Sequence, residues 1–444
     1  MERPLSATER AMFHLDKLST LNFSTVGRVR GPLTLERVQQ GVEAAAKRHM
    51  FLRSRIELDA LGNPWFREGG AIPGVRFVSG AEWIPDAERE VNEPISASTG
   101  PLVRVVHVQH AADDHTLILN FHHSVGDGWS GVYLLRDIVQ AASGQALEQL
   151  PDVVGVDERF PAPERGFGGF LGLLRFGLRE LWLSLRHGVP VGARRDSPAL
   201  AHQRRSRVIP KVLEAELAAR LAERARAEQT TVHGALAAAI MLATVADTEL
   251  GRAGKPVRVG FGSPVNLRTE LTPPVGEELG MFVSMLAWGG AVRPSDDFWS
   301  LARAIRASTV LDKARGFVWA ALRAMSVVFA ALGGAAAPKE KMAARWEKAL
   351  PATSGLTNLG RLGIETRFGD LQIAEAHFLT CPSALGVWLS TATSLHGRLF
   401  WNFVYTDPSL SPEHARALAE DAVTRLERAV GAMATSEPKS EAAA

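Results

Sequence analysis

The segment at residues 102–130 constrains the fold more than any other part of the chain. Two runs rich in β-branched residues, LVRVVHVQH and HTLILNFHH, flank the polar AADD and predict an antiparallel β-hairpin. The second run ends in adjacent histidines, His122 and His123, and SGVYLLRDIVQAA, shortly after it, has the apolar spacing of a helix. We therefore expect the two histidines on a strand-to-helix turn, where Gly126 and Gly128 permit tight backbone geometry.

Metal ligation, core packing and proton transfer are the three roles open to these histidines. Successive side chains on a strand point to opposite faces, so His122 and His123 cannot easily ligate one ion, and we expect no metal site. Buried histidines bonded by backbone groups are common, but a pair placed three residues before Asp-Gly is rare by composition alone. We favour one imidazole facing a cavity as a general base while its neighbour turns inward as scaffold.

The residues at the predicted helix start fit that chemistry. Asp127 would organise the turn through a charge-assisted hydrogen bond without touching substrate. Gly128 and Trp129 supply backbone amides near a helix N-terminus, where a developing oxyanion would be stabilised. The pattern thus predicts a proton-transfer site.

Predicted helices and strands are mixed in both halves of the chain, which is typical of an α/β fold. Helices are predicted at 34–49, 213–229, after Thr230, around 297–312 and at 412–430. The further strand-like runs are FLRSRIEL, PVRVGFGSPVN, LGIETRF, LQIAEAHFL, GVWLSTATSL and RLFWNFVYTD. At 444 residues the chain exceeds the size at which one core usually keeps growing, so two subdomains are expected.

A region rich in Gly, Pro and Arg, from about 160 to 210, predicts a connector. Within it, GGFLGLLRFGLRELWLSLRH predicts an apolar helix with a narrow basic stripe formed by Arg175, Arg179 and Arg186. Such a helix could lie on an anionic membrane or line the hydrophobic entrance of a substrate channel. We favour a docking helix with a solvated arginine face.

A local basic run follows that helix. It suits an acidic carrier protein or the phosphates of coenzyme A, and a solvated linker is an equally open interpretation. Its members are Arg194, Arg195, Arg204, Arg205 and Arg207.

Charge and cysteine content exclude several classes of protein. Fifty basic against 48 acidic side chains give a formal charge of +2, which argues against a nucleic-acid-binding polycation. Cys381 is the only cysteine, so no intramolecular disulfide can form, and we interpret it as a core residue rather than an acyl-enzyme nucleophile. The N-terminus MERPLSATER lacks a signal-peptide pattern, and the apolar stretch 230–246 is better interpreted as a buried helix than as a membrane span. The stretch 316–338 is interrupted by Arg323 and ends in glycines, which also argues against a span. A cytoplasmic location is expected.

HHSVGDGWS resembles the HHxxxDG signature of the superfamily of condensation domains and acyltransferases, which share the chloramphenicol-acetyltransferase fold. The similarity continues through LSATERAMF, LERVQQGVEAAAKRHMFLRSRIEL, TTVHGALAAAI, PVNLRTELTPPVGEELGMFVSML and TSGLTNLGRL. Residues 140–205 and 300–350 have no counterpart, and the DFGWG segment of the plant branch is absent. The late TNLGRL segment resembles stand-alone esterifying enzymes associated with polyketides and lipids.

The resemblance implies an α/β fold of two chloramphenicol-acetyltransferase-like subdomains that form a pseudo-dimer with a tunnel between them. Residues 1–165 would be the N-terminal subdomain, 166–205 the basic connector, 206–433 the C-terminal subdomain and 434–444 a disordered tail. His123 would be the catalytic base, and His122, Asp127 and Arg268 would be structural, with Arg268 bridging to Asp127. Asn358 would contact the thioester or oxyanion, as would Gly128 and Trp129.

The implied reaction is acyl transfer from a thioester to a nucleophile, with no bound cofactor. The donor would be acyl-coenzyme A or a phosphopantetheinyl acyl or peptidyl carrier protein supplied in trans, and the acceptor a small-molecule hydroxyl or amine. We favour ester formation on a hydrophobic acceptor. Amide-forming condensation of the nonribosomal-peptide type and a non-catalytic carrier-recruitment module stay open, as does peripheral membrane contact; a monomer is expected.

Overall fold

Two six-stranded β-sheets and one three-stranded sheet organise the part of the chain that the computed structural model describes, residues 2–80, 82–151, 153–331, 354–383 and 386–431. The helices of this part are α1 (Ala7–Asp16), α2 (Leu35–Arg48), α3 (Trp83–Asn92), α4 (Gly128–Ala142), α5 (Gly166–His187), α6 (Ala215–Ala227), α7 (Val232–Asp247), α8 (Glu249–Arg252), α9 (Phe298–Ala314), α10 (Phe317–Ala331) and α11 (Pro412–Gly431). The strands are β1 (Arg3–Pro4), β2 (Asn22–Arg30), β3 (Ser54–Leu58), β4 (Pro64–Glu68), β5 (Val75–Ser79), β6 (Val103–Ala111), β7 (Asp114–His122), β8 (Arg205–Leu213), β9 (Phe261–Asn266), β10 (Val283–Ala287), β11 (Ser354–Arg361), β12 (Arg367–Phe368), β13 (Leu371–Thr380), β14 (Trp388–Leu395) and β15 (Arg398–Asp407).

The first large sheet has the strand order β12-β13-β2-β7-β6-β5. The predicted hairpin is confirmed, because β6 and β7 pair antiparallel. Strand β7 is one of the two central strands and also pairs antiparallel with β2. The nine residues of β7 are all buried, as expected for a strand flanked on both sides and covered by helices such as α4. Because β7 is buried to its last residue, the His122 side chain lies inside the protein, whereas His123 follows the end of the strand.

The second large sheet has the order β10-β9-β11-β14-β15-β8. Its middle strand, β11, is parallel to both neighbours, whereas the other pairs are antiparallel. Helix α7, which is almost entirely buried, packs against β11 and forms a separate apolar core with α11 and α9. Two mixed α/β units of similar strand number result, as the sequence predicted.

The polypeptide crosses between the two sheets late in the chain. Strand β13 belongs to the first sheet, where it pairs antiparallel with β2, although β11 before it and β14 after it belong to the second. The first sheet therefore draws strands from both sides of the predicted boundary at residue 206. This exchange joins the two units through the backbone.

Most predicted elements are confirmed, with three corrections. FLRSRIEL is a strand only from Ser54, because Met50–Arg53 forms a 3-10 helix. LGIETRF is wrong as a strand for most of its length, because only Arg367–Phe368 pairs; the neighbouring strand is Ser354–Arg361 instead. PVRVGFGSPVN is a strand only from Phe261, with isolated bridges at Val257 and Val259. The tail 434–444 and residues 332–338 of the second apolar stretch lie outside the described residues.

The helices were also compared with the length and hydropathy that a membrane span requires. Within the described ranges no single helix is long and apolar enough to cross a bilayer. One bent pair, α6 and α7, which meet at 97°, would pass by length and composition together.

Candidate active site

Strand β7 delivers the histidine pair to the edge of its sheet. Asn22, the first residue of β2, lies opposite His122 in the antiparallel register. The chain then leaves the sheet through one 3-10 turn, His123–Val125, and α4 begins at Gly128. The two histidines thus lie on either side of the point where the strand ends, so their rings take different environments.

His122 has both ring nitrogens occupied inside the protein. Its Nδ1 accepts a hydrogen bond from the Ser124 amide at 3.2 Å, and its Nε2 lies 3.6 Å from the Asp16 carboxylate. Its side chain is 1% exposed, and burial lowers its pKa against the opposing effect of Asp16. The ring therefore serves as part of the scaffold around the turn.

His123 is only partly covered, and its Nε2 has no hydrogen-bond partner among the residues that the structure describes. The ring packs against Phe23 at a centroid distance of 4.9 Å, and Nδ1 lies 3.2 Å from the carbonyl oxygen of Gly126. Because a carbonyl oxygen can only accept, Nδ1 carries the proton and the lone pair of the neutral ring is on Nε2. Burial lowers the pKa of His123, although its carbonyl contacts and Asp127 oppose this. The imidazole is thus held neutral, as a base requires.

Asp127 is fully committed to the turn and does not orient the imidazole. It is the N-cap of α4: Oδ1 accepts from the amide and hydroxyl of Ser130 at 2.8 and 2.9 Å. Oδ1 also accepts from Arg268 at 3.0 Å, and Oδ2 accepts from the Phe282 amide at 3.1 Å. A 1% exposed carboxylate is satisfied in this way by groups from both halves of the chain.

Arg268 fixes the loop between β9 and β10 against α4. Its Nη1 donates to the carbonyls of Gly276 and Glu278 at 3.0 and 2.8 Å, and its guanidinium carbon lies 4.8 Å from the Phe282 ring centroid. The side chain is 3% exposed. One arginine therefore fixes the loop's own shape as well as its contact with Asp127.

Ser130 belongs to this network, and the sequence analysis missed it. Its hydroxyl lies 3.1 Å from the amide and from the carbonyl of Gly280, and 3.1 Å from Arg268 Nη2. A usable signal was present, because an N-cap Asp127 followed three residues later by a polar side chain is the spacing of a capping box.

The other predicted site residues flank the start of α4. A Cβ on Gly128 would lie 2.6 Å from Leu359 Cδ2, so this helix end touches β11 of the second sheet. Trp129 is half-buried and packs near Tyr133. The first amides of a helix lack intrahelical partners, which leaves those of Gly128 and Trp129 available.

Asn358 precedes Leu359 at an irregularity in the β11 ladder. Its Oδ1 accepts from the Gly360 amide at 2.8 Å, and the register of β11 against β14 shifts between these two residues. Leu359, the next residue, is the one that lies against the α4 terminus at Gly128. The side-chain amide nitrogen is the group that could still donate towards a substrate.

The predicted basic run does not form one surface. Arg204 is buried and donates to the carbonyls of Ala199 and Ser383. These hydrogen bonds attach the connector to the segment that follows β13. Arg207 lies 2.9 Å from Glu88. Its side chain is 45% exposed, so part of the run is accessible and part is structural.

Covalent catalysis by Cys381 and metal ligation were the alternatives to proton transfer by a histidine. Cys381 is 1% exposed, its sulfur accepts from the Ser206 hydroxyl at 3.0 Å, and burial raises the pKa of its thiol. That environment is typical of an inert core cysteine. Among the described residues, no group of three or more His, Cys, Asp or Glu side chains could hold a metal ion.

Two family models match this chain on two separate segments, and the second of them covers residues 300–350, for which the sequence analysis found no counterpart. The model described as condensation domain matches residues 3–153, and the model described as phthiocerol/phthiodiolone dimycocerosyl transferase C-terminus matches residues 203–368. The first segment contains the histidine pair and the second contains Arg268 and Asn358.

Similar proteins include a curated relative and two solved structures. The probable non-canonical nonribosomal peptide synthetase CymA of Salinispora arenicola is 28% identical over 325 residues, 68% of this chain, which span only 4% of that protein's length. Polyketide synthase associated protein 5 from Mycobacterium tuberculosis is 17% identical with a TM-score of 0.66, covering 96% of this chain and 98% of that one. TRI3 trichothecene 15-O-acetyltransferase from Fusarium sporotrichioides is 11% identical with a TM-score of 0.74, covering 97% and 95%. The two structures share the two-subdomain fold.

Proposed function

We propose that this chain, a member of the superfamily of condensation domains and acyltransferases, forms esters from an acyl thioester and a hydrophobic alcohol. His123 is the proposed base. The thioester would be carried by coenzyme A or by the phosphopantetheinyl arm of a carrier protein. A tunnel between the two subdomains would bring donor and acceptor to His123 from opposite sides.

The state of His123 is the observation that carries this proposal. Nδ1 donates to the Gly126 carbonyl at 3.2 Å, which leaves the lone pair on Nε2, and burial lowers the pKa. A neutral imidazole of fixed tautomer is ready to accept a proton. Neither His122, which has both nitrogens engaged, nor Asp127, which is surrounded by donors, offers such a group.

In the proposed reaction one proton moves from the acceptor hydroxyl to His123 and then from His123 to the leaving thiolate. Nε2 of His123 takes the hydroxyl proton as the acceptor oxygen attacks the thioester carbonyl. The tetrahedral intermediate then breaks its carbon–sulfur bond, and the leaving thiolate takes the proton back from the imidazolium. The products are an ester and a free thiol, and the base is regenerated.

The negative charge of the intermediate needs donors that are already in place. The amides of Gly128 and Trp129, at the positive end of α4, are proposed to stabilise it. Asn358 is proposed to contact it from the β11 side. Asp127 and Arg268 would hold these two sides together by joining α4 to the loop between β9 and β10.

A hydroxyl acceptor is favoured over an amine. The match to a dimycocerosyl transferase model supports ester formation, as does the fold shared with a protein titled a 15-O-acetyltransferase. Amide formation is the second candidate, because the condensation-domain model matches residues 3–153, which include the histidine pair. Both nucleophiles need the same base, so His123 does not distinguish them.

The decisive experiment offers the purified chain a panel of acyl-coenzyme A and acyl-carrier-protein donors with long-chain alcohols or the matching primary amines. Ester products and released thiol with the alcohols are expected. Amide products alone would replace the ester proposal by the condensation proposal. Binding of the carrier protein with no product from any acceptor would identify a recruitment module instead.

A further inference from the structure

Helix α5 presents a continuous apolar stripe to solvent. At 100° per residue its members fall within an arc of about 120°, and they extend for about 27 Å along the helix. Leu185 is 80% exposed and Phe167 79%, and only Gly169 and Leu183 of the helix are buried. The exposed stripe consists of Phe167, Phe170, Leu174, Leu178, Leu181, Trp182 and Leu185.

The opposite face attaches α5 to the protein. Phe176 packs edge-on against Phe317 of α10, with ring centroids 5.7 Å apart. Arg179 lies 2.9 Å from Asp312 of α9, so it is not part of a solvated arginine face as the sequence analysis had expected. The solvated arginine face is therefore limited to Arg175 and Arg186, because Arg179 pairs with a carboxylate 133 positions away in the sequence.

The charges that remain on the outer side of α5 are positive. Arg175 and Arg186 are exposed at one margin of the apolar stripe, and the Arg186 guanidinium lies over the Trp182 ring at 5.4 Å. Glu180, the only acidic residue of the helix, is turned inward to Arg258 at 3.0 Å. The outward surface is thus apolar along its centre, cationic along one edge and free of carboxylates from α5.

We propose that this stripe docks α5 on the surface of an anionic lipid bilayer, parallel to the membrane plane. Leucine and aromatic side chains facing out beside arginines are the composition of an interfacial helix, and tryptophan prefers the headgroup region. Seven exposed large apolar side chains on one face of a helix form the kind of contiguous patch that marks an interaction surface. Because no carboxylate of α5 faces outward, nothing on this helix surface repels the negatively charged lipid headgroups.

The position of α5 connects this surface to the proposed reaction. Helix α10, against which α5 packs, also packs on β10, where the Ser284 hydroxyl donates to the Val318 carbonyl at 2.5 Å. Strand β10 follows Phe282, whose amide binds Asp127. Docking would therefore hold the site near lipid, where a hydrophobic acceptor is concentrated. The docking proposal does not depend on the reaction, because its test measures lipid binding alone.

The test is co-sedimentation of the full chain with vesicles of phosphatidylcholine alone or mixed with phosphatidylglycerol. Wild type is expected to bind the mixed vesicles and to be released by salt. The Leu178→Gln/Leu185→Gln variant is expected to lose at least tenfold in partitioning, because both side chains would enter the bilayer. Leu61→Gln, which changes an 87% exposed leucine in the turn between β3 and β4, is the matched control and should bind as wild type does.

A second variant isolates the charge. Arg175→Gln/Arg186→Gln is expected to weaken binding to the anionic vesicles by roughly tenfold or more, since each basic residue near such a surface contributes about fivefold. All these positions are exposed, so thermal unfolding should be unchanged and loss of binding cannot be attributed to misfolding.

Three results would overturn the proposal. Wild type could remain in the supernatant with both vesicle types. The leucine variant could bind vesicles as tightly as the Leu61→Gln control does. Light scattering could show a wild-type dimer that Leu178→Gln/Leu185→Gln converts to a monomer, with no vesicle binding by either, which would make the stripe a self-association surface.

Discussion

The carboxylate of Asp127 and the guanidinium of Arg268 meet at 3.0 Å with side chains that are 1% and 3% exposed. One lies at the start of the helix that follows the histidine pair, and the other lies in the loop between two strands of the second sheet. The pair therefore couples the two halves of the molecule directly beside His123.

Removing one partner of this pair should be costly. Arg268→Met leaves the Asp127 carboxylate buried with an incomplete set of donors, and we expect the free energy of unfolding to fall by about 3–5 kcal/mol. Denaturant titration measures this. Arg416→Met, which breaks an exposed pair with Glu413, is the control and should cost less than about 1 kcal/mol. Equal losses in the two variants would show that the buried pair does not join the halves.

The close contact between Gly128 and Leu359 makes a second prediction. Gly128→Ala puts a Cβ 2.6 Å from Leu359 Cδ2, the end of a half-buried side chain that can move aside, so the change should cost about 1 kcal/mol of unfolding free energy. Gly363→Ala, where the added Cβ meets nothing within 4 Å, is the matched control. In a double-mutant cycle, Gly128→Ala should cost nothing further once Leu359→Ala has removed the obstruction. Additive losses would contradict the contact.

Local pattern was sufficient to predict the turn at the candidate active site. The β-branched runs on either side of AADD predicted β6 and β7, and the apolar spacing after Gly128 predicted α4. Each of these elements is determined by residues close in sequence, which is where periodicity is informative. The position of His123 at the end of a buried strand follows from them.

The elements that sequence patterns failed to predict depend on distant partners. Strand β11 was missed because SGLTNLGR is poor in strand-forming residues; it is held by parallel pairing with β9 and β14. The placement of Arg179 on the solvated face of α5 was wrong, because Arg179 pairs with Asp312 of a helix that follows much later. Neither partner can be recognised from the local sequence.

The thiol of Cys381 should have no part in the reaction. It is 1% exposed, accepts a hydrogen bond from Ser206, and burial raises its pKa, so little thiolate forms. Cys381→Ala should keep kcat/KM within about threefold of wild type, and iodoacetamide should label the native chain slowly. Loss of activity by more than about a hundredfold in a folded Cys381→Ala protein would point to covalent catalysis instead.

The pH dependence should report the state of His123. Burial lowers its pKa below the ordinary 6.5, so the neutral base persists at pH 6.5 and becomes protonated as the pH falls through the lowered value. With substrates that do not titrate, kcat/KM should be constant from neutral pH down through 6.5 and should fall, about tenfold per pH unit, only below the lowered pKa of His123. An acid limb centred above pH 6.5 would contradict a lowered pKa of the His123 imidazole.

Comparison of His123→Ala with wild type tests the central claim most directly, with kcat/KM and donor affinity measured on the same preparations. Loss of the base should lower kcat/KM by about 10²–10⁴-fold while the dissociation constant of the acyl donor stays within twofold. His202→Ala, at an exposed position, is the control and should behave as wild type does. A folded His123→Ala protein that retained more than a tenth of wild-type kcat/KM would contradict proton transfer by His123.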